Sequence, residues 1–494
     1  MVVQHNMQAA NANRMLGITS GAQAKSTEKL SSGYKINRAA DDAAGLTISE
    51  KMRKQIRGLD KASSNAQDGV SSVQTAEGAL TEVHSMLQRM NELAVQASNG
   101  TNSKDTDRKA IQDEIDQLNT EIDRVAETTK FNEIYLLKGD DGEKTINMKA
   151  HDAGLKGTLT DNGDGTATFK MDALKAGDKV SIGGQTFSIG ASTKELKDML
   201  TTADIDTKHQ DVVVNGDTYK YVAAKAAVTT GTKADGNAAG WYKDGVVPAD
   251  TGAGIVADAD YADAAEFSTK VTSGTVKVGT TELSLIADKD KDGVDDNNKN
   301  VITKEKAYSL AAAELLKANQ IGDTQNQAKV GIDKNYTAMT LANATNTIEI
   351  HTGTAKVANT LSFSLHVGAD ADMTNKITVD IDIMNSANLG IKGLNVTDKN
   401  GTAATYAIDA ISDAISKVSS QRSALGAVQN RLEHTIDNLD NISENTSSAE
   451  SRIRDTDMAK EMVNYSKNNI LAQAGQSMLA QANQSNQGVL SLLQ

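Results

Sequence analysis

In the first third of the chain, apolar residues recur at steps of three and four. Val73, Ala76, Leu80, Val83, Leu87, Met90, Ala94 and Ala97 form one seam, the heptad pattern of a helix that packs along its length. Asn99-Gly100 closes it, as a helix C-terminal turn does. A second seam, Ile111, Ile115, Leu118, Ile122 and Val125, follows a polar stretch at Thr101–Asp107 and predicts an antiparallel helical hairpin. Towards the other end, Ile408, Ile411, Ile415, Val418, Leu425, Leu432, Ile436 and Leu439 hold one register, with Arg422 and Gln429 interrupting it. This helix is the natural third member of a bundle.

The extreme ends read differently. Residues 1–35 carry small apolar residues such as Ala9, Ala10, Ala12, Ala22 and Ala24. Residues 455–494 mix Met458, Met462, Ile470, Leu471, Met478, Leu479, Val489, Leu490, Leu492 and Leu493 with many Gln and Asn. Isolated helices of this kind are marginal in water. Both ends are therefore expected to be disordered in the monomer and to fold when neighbouring copies cover them.

The region 141–404 changes period. Val180–Ile182 and Phe187–Ile189 flank Gly183-Gly184, and Val212–Val214 and Tyr219–Val222 flank Asn215-Gly216-Asp217. These are hairpin signals. Ile377, Val379, Ile381 and Ile383 alternate with polar residues, Lys304–Asn319 reads as an inserted helix, and Ala234–Gly240 as a loop. The predicted class is α+β: a discontinuous, coiled-coil-like helical bundle built from both termini, with a β-rich domain inserted between them. Three divisions follow: 1–45 with 450–494, 46–140 with 405–449, and 141–404, the last with room for two domains.

Composition sharpens this. With 5 Phe, 10 Tyr and 1 Trp, aromatic packing contributes little, which suits slender bundles. A single Pro in 494 residues, where average usage gives about 25, fits long uninterrupted helices. It also fits a chain exported unfolded, which would avoid slow prolyl isomerisation. Cys is absent, so there is no disulfide framework and no thiolate chemistry. The net charge of −14 argues against nucleic acid as a partner. No run of 18 apolar residues predicts membrane insertion, and Met1–Asn6 shows no signal-peptide pattern.

Chemistry-bearing motifs are sparse. Asp288, Asp290, Asp292 and Gly293 match the opening of an EF-hand loop, but Lys299 stands where the twelfth-position Glu belongs. An acidic surface loop at a hairpin tip is the plainer reading, beside weak calcium binding. The seven His are scattered, and no zinc-protease, nucleophile-elbow, phosphate-loop or dinucleotide motif exists. No catalytic residue, cofactor site or enzyme activity is therefore expected.

The two ends resemble bacterial flagellin. The segment Leu30–Leu46, LSSGYKINRAADDAAGL, resembles the family's N-terminal signature, continued by Asn65–Val70 and Thr75–Leu80. Ser423–Leu432 and Ala449–Asp457 are similar to its C-terminal half. The resemblance covers about 1–140 and 405–494 and implies a filament subunit for swimming motility. Such a subunit is exported unfolded by the flagellar type III route and added at the tip beneath a cap. Paired terminal helices would line the inner tube, with Met458, Met462, Leu471, Leu479, Val489, Leu490, Leu492 and Leu493 serving polymerisation. The implied location is an extracellular filament, and the implied partners are other copies of the chain, an export chaperone, the cap and the hook-junction proteins.

The resemblance also implies recognition of the monomer by host Toll-like receptor 5 through Gln88, Arg89, Glu92, Leu93 and Gln96, with Ile111 and Glu114 adjoining. Arg89, Glu92 and Leu93 fall off the seam positions and are expected to face outward. Asn91 departs from the Arg common in strong agonists. The C-terminal leucines resemble those read by cytosolic NAIP sensors, although Gln494 stands where Arg is typical. Two other readings remain at this point: a hook–filament junction protein, and a flagellin whose insert binds calcium or adheres.

Overall fold

The computed structural model describes residues 6–192, 195, 211–222, 240–245, 261–262, 274–279 and 281–491. Seven α-helices lie among the described residues. They are α1 (Met7–Ser32), α2 (Ala43–Ser98), α3 (Asp107–Thr128), α4 (Lys304–Asn319), the short α5 (Ser386–Leu389), α6 (Thr402–Arg454) and α7 (Met458–Ser491). The chain divides into two compact units. One comprises residues 1–74, 362–380 and 424–494; the other comprises 75–361 and 381–423.

The terminal unit is tied at an elbow where both chain ends change direction. Gly33 ends α1 in the left-handed conformation, at φ 76°, and its N–H donates to Lys29 O, a conformation that favours glycine. Tyr34 then bridges Asp455 in antiparallel fashion. The Lys35 N–H donates to Arg454 O at 2.6 Å and the Thr456 N–H to Gly33 O at 2.9 Å. The Arg454 guanidinium lies 4.7 Å from the centre of the Tyr34 ring and pairs with Glu50 at 2.7 Å.

Asp41 accepts the N–H groups of Asn37 and Arg38, and these bonds hold its carboxyl below the ordinary Asp pKa. Asp42 accepts the Gly45 N–H at 2.8 Å, capping the start of α2. Much of the signature stretch 30–46 is thus one capped, hydrogen-bonded turn.

Beyond the elbow, α2 and α6 run antiparallel. Ser49 donates to Glu450, Ser63 to Asp440 and Ser443 to Asp60. A hairpin of strands Leu361–His366 and Lys376–Ile381 packs on this pair. Its Val367 and Ile377 join Ala66 and Leu432 in one core, with Val70, Leu365, Val428 and Ile436 around them. Sequence pattern placed this hairpin in the inserted region 141–404; the structure places 362–380 with the chain termini. The reason is steric. Gly58 and Gly69 lie eleven residues apart, three turns along one helix face, and bare that face to the hairpin. A Cβ on Gly58 would sit 2.9 Å from the Ala369 Cβ and 3.1 Å from its Cα.

The second unit carries residues 75–98 of α2, then α3 and residues 402–423 of α6. The predicted seam is buried throughout, from Ala76 to Ala97. In α3, Ile111, Ile115, Ile122 and Ala126 are buried, so Ala126 takes the place expected of Val125. In α6, Ile411 and Val418 are buried here, and Leu425, Leu432 and Leu439 continue the seven-residue spacing in the terminal unit.

The turn between α2 and α3 rests on Arg108, a fully buried cation. Its guanidinium donates to Ala97 O at 2.8 Å, Asn99 O at 3.1 Å and the Asp398 and Lys399 carbonyls at 2.9 Å each. It satisfies carbonyls at the α2 C-terminus, where a positive charge is favourable.

The rest of this unit is β-rich. A four-stranded antiparallel sheet, ordered Lys329–Gly331, Thr347–His351, Thr166–Met171, Gly157–Asp161, packs with α4 around Phe169, Met171, Ile348, Ile350 and Leu315. The predicted α4 bounds match, and Thr303 caps it by accepting the Lys306 N–H. Both predicted hairpins form: Lys179–Ile182 with Gln185–Ile189, and Val212–Val214 with Asp217–Val222. Residues 234–239 of the expected Ala234–Gly240 loop lie outside the described residues, and Gly240 opens a strand, Gly240–Lys243.

The steric account of the hairpin has a direct consequence. Gly78, also in α2, has open space where a Cβ would lie. Gly78→Ala should therefore gain about 0.5–1 kcal/mol in monomer stability, the helix-propensity difference. Gly58→Ala should lose about 1–3 kcal/mol, because the overlapped atoms include backbone. Urea unfolding of both variants against the parent chain measures the difference; equal gains would mean the hairpin does not rest on Gly58.

Candidate self-assembly surface

Helices α1 and α7 pair antiparallel. Asn6 donates to Ala482 O at 3.1 Å, and a Cβ on Gly475 would lie 3.5 Å from Leu16 Cδ1. The sequence of these ends is helix-compatible and is expected to order where neighbouring copies cover it; here they are helices of 26 and 34 residues. What they lack is a core. Ser26 is the one buried side chain of α1, and no described side chain of α7, up to residue 485, is buried.

The apolar residues of α7 do not share a stripe. At 100° per residue, Met458, Met462, Val463, Ile470, Leu471 and Met478 are spread over more than half the circumference, and all six are exposed. A helix apolar on several faces belongs in an interior, yet α1 covers only one side. Among the residues named for polymerisation, Met458, Met462 and Leu471 are exposed, whereas Leu479 is half-buried. Val489 and Leu490 fall in the last turn of α7, and Leu492 and Leu493 lie outside the described residues.

Sequence reading named only alanines on α1. The structure adds Met7, Met15 and Ile18, the first 75% exposed. At 100° per residue they lie within about 80° of one another, a stripe of one face of α1. Together these side chains leave two long helices with apolar surface on open sides, an arrangement suited to burial between identical chains.

The second candidate surface lies on α2 and α3. Arg89 is half-exposed and bridges two carboxylates, Glu114 at 2.9 Å and Glu92 at 3.2 Å. These hydrogen bonds, Glu114 first, raise its already high pKa. Gln88 and Gln96 are exposed on the same helix, and Gln88 Nε2 lies 3.1 Å from His84 Nε2. One expectation fails: Leu93, expected to face outward, is 2% exposed, whereas Ile111 is buried as its place on the α3 seam predicts. A helix tied to partners on two sides, to α3 through Arg89–Glu114 and to α6 through Glu77–Arg422, buries a wider stripe than the a and d positions alone. Leu93 lies on that extra width.

The acidic loop is compact. Carboxylate oxygens of Asp288, Asp290 and Asp292 lie within 4.8 Å of one another. Both Asp288 oxygens accept backbone N–H groups, from Asp292 and Gly293. Desolvation, followed by the nearby Asp292 and Asp296 carboxylates, raises the Asp290 pKa.

The profile of the bacterial flagellin N-terminal helical region matches residues 3–141, and that of the C-terminal helical region matches 408–493. A flagellin of Clostridium tyrobutyricum is 38% identical over 99% of this chain and all of its own length. One from Bacillus subtilis is 34% identical over the full length of both. The chain belongs to the bacterial flagellin family. Its role is that of a structural subunit of the flagellar filament. A crystal structure of flagellar hook associated protein-3 from Legionella pneumophila covers 82% of this chain and 98% of its own, at 14% identity and a TM-score of 0.31. That overlap is too loose to support the junction-protein reading. Among the described residues, no helix is long and apolar enough to cross a membrane.

The burial pattern separates two neighbouring residues. Leu93→Ala should destabilise the monomer by about 2–5 kcal/mol, as loss of a buried leucine does. Arg89→Ala, which removes exposed ion pairs, should change stability by less than about 1 kcal/mol. Thermal unfolding of the two variants checks this, and a tolerated Leu93→Ala would contradict the burial.

Proposed function

We propose that α1 and α7 form the surface through which copies of this chain polymerise, and that this pairing is completed only in the filament. The observation that carries this reading is the exposure of Met458, Met462, Val463, Ile470, Leu471 and Met478 around a helix that has one neighbour. Each residue ordered costs about 1–2 kcal/mol in backbone entropy. Covering the exposed apolar area returns about 25 cal/mol per Å², so assembly and helix stability are coupled. In this reading residues 1–45 with 450–494 line the filament core, 46–140 with 405–449 form the next layer, and 141–404 face outward.

The chain works without catalysis. It is secreted through the type III route, held beforehand by an export chaperone at its C-terminal helix, and added below the cap to a filament that begins at the hook-junction proteins. The absence of Cys and the single Pro suit threading and rapid refolding.

Glutamates on the open side of α7 test the polymerisation surface. The full-length double variant Met462→Glu, Leu471→Glu should keep the parent's melting temperature and circular dichroism. On seeds of parent filaments it should elongate at least tenfold more slowly, as followed by light scattering and electron microscopy. Elongation at the parent rate would remove α7 from the interface.

A second role belongs to the monomer. The Arg89 side chain, held between Glu92 and Glu114 with Gln88 and Gln96 on the same helix, offers Toll-like receptor 5 an ordered, exposed anchor of the kind that dominates interfaces. Arg89→Ala should reduce receptor signalling in a reporter cell assay by tenfold or more while monomer stability is retained; an undiminished response would exclude Arg89. The C-terminal leucines would serve NAIP recognition separately.

A further inference from the structure

Sulfur in this chain is confined to methionine, because Cys is absent. Among the described residues, Met90, Met148, Met171 and Met384 are buried within the second unit. The exposed ones are Met7, Met15, Met373, Met458, Met462 and Met478, and all but Met373 lie on α1 or α7. The two helices with the least internal core thus carry five open thioethers.

Methionine suits a contact made with another chain, because its flexible, polarisable side chain adapts to an uneven partner. Unlike Leu or Ile, it can also be oxidised reversibly to a polar sulfoxide, which disrupts methionine-rich interfaces. Their placement concentrates that effect. At 100° per residue, Met7 and Met15 lie about 80° apart on α1, and Met458 and Met462 about 40° apart on α7. Met462 also lines a surface hollow with Val463, Ile470 and Leu471. An oxygen added to its sulfur would put a strong dipole among apolar side chains. Covering that dipole without a hydrogen-bond partner is unfavourable.

We propose that the methionines of α1 and α7 form an oxidation-sensitive site: a peroxide converts their thioethers to sulfoxides in the free monomer and blocks its addition to a filament, whereas the assembled filament shields them. This inference rests on the polymerisation surface proposed above. In the oxidation step one peroxide oxygen bonds to the thioether sulfur as the O–O bond breaks. Its proton passes to the other oxygen, which leaves as water. The sulfur loses two electrons and the peroxide gains them.

The test treats full-length monomer and assembled filament with hydrogen peroxide, at a dose that leaves Met90 and Met171 unoxidised by peptide mass spectrometry. In the monomer, Met7, Met15, Met458, Met462 and Met478 should oxidise; in the filament they should do so at least tenfold more slowly. Treated monomer should keep its melting temperature but elongate parent seeds at least tenfold more slowly. Methionine sulfoxide reductases acting on both sulfoxide epimers, with a thiol reductant, should restore the rate. Met373→Leu, away from both helices, should be as sensitive to peroxide as the parent. Equal oxidation in monomer and filament would remove the polymerisation surface and this proposal with it. Shielding in the filament together with parent-rate elongation of treated monomer would overturn the proposal alone. So would a failure of the reductases to restore elongation, an earlier melt of the treated monomer, or a Met373→Leu chain that resists peroxide.

Discussion

Everything in the terminal unit depends on the junction that joins the two ends of the chain. Residues 34 and 455 stand at opposite ends of the sequence, yet their backbones bridge, and Arg454 reaches across to Tyr34 and Glu50. Because α1 stops at Gly33 and α6 stops at Arg454, the two breaks meet. Antiparallel pairing of α1 with α7 on one side, and of α2 with α6 on the other, follows from that meeting. A slip of one residue on either strand of the chain would unpair both.

Long helices without aromatic packing need other means of specifying contact. In α2 and α6 the means are repetition and absence. Repetition appears as the seven-residue spacing from Ile411 to Leu439, every position of which is buried. Absence appears at Gly58 and Gly69, where missing side chains admit the 361–381 hairpin. Between them, Ser–carboxylate hydrogen bonds such as Ser63–Asp440 hold the register where no leucine does.

The contrast between α2 and α7 explains how one chain can be both a stable monomer and a polymer subunit. The α2 seam buries its apolar side chains within the chain. On α7 comparable side chains lie on several sides of the helix, and one partner covers one side. Stability internal to the chain resides in the first, and stability conditional on neighbours in the second.

Much of this was legible in residues alone. The seams, the helix at 304–319 and the glycine-centred hairpins depend on local periodicity and turn chemistry, which act within a few residues. The signature around Asp41, Asp42 and Gly33 was visible as a motif, though not as a capped elbow. The three-dimensional structure decided what depends on residues far apart. It turned Leu93 inward, because the number of neighbours around a helix sets the width of its buried stripe. It moved 362–380 to the chain termini, because Gly58 leaves room only for something that arrives from elsewhere in the sequence. It made Arg108 a buried clamp on four carbonyls, two of them nearly three hundred residues away, a role no local pattern announces.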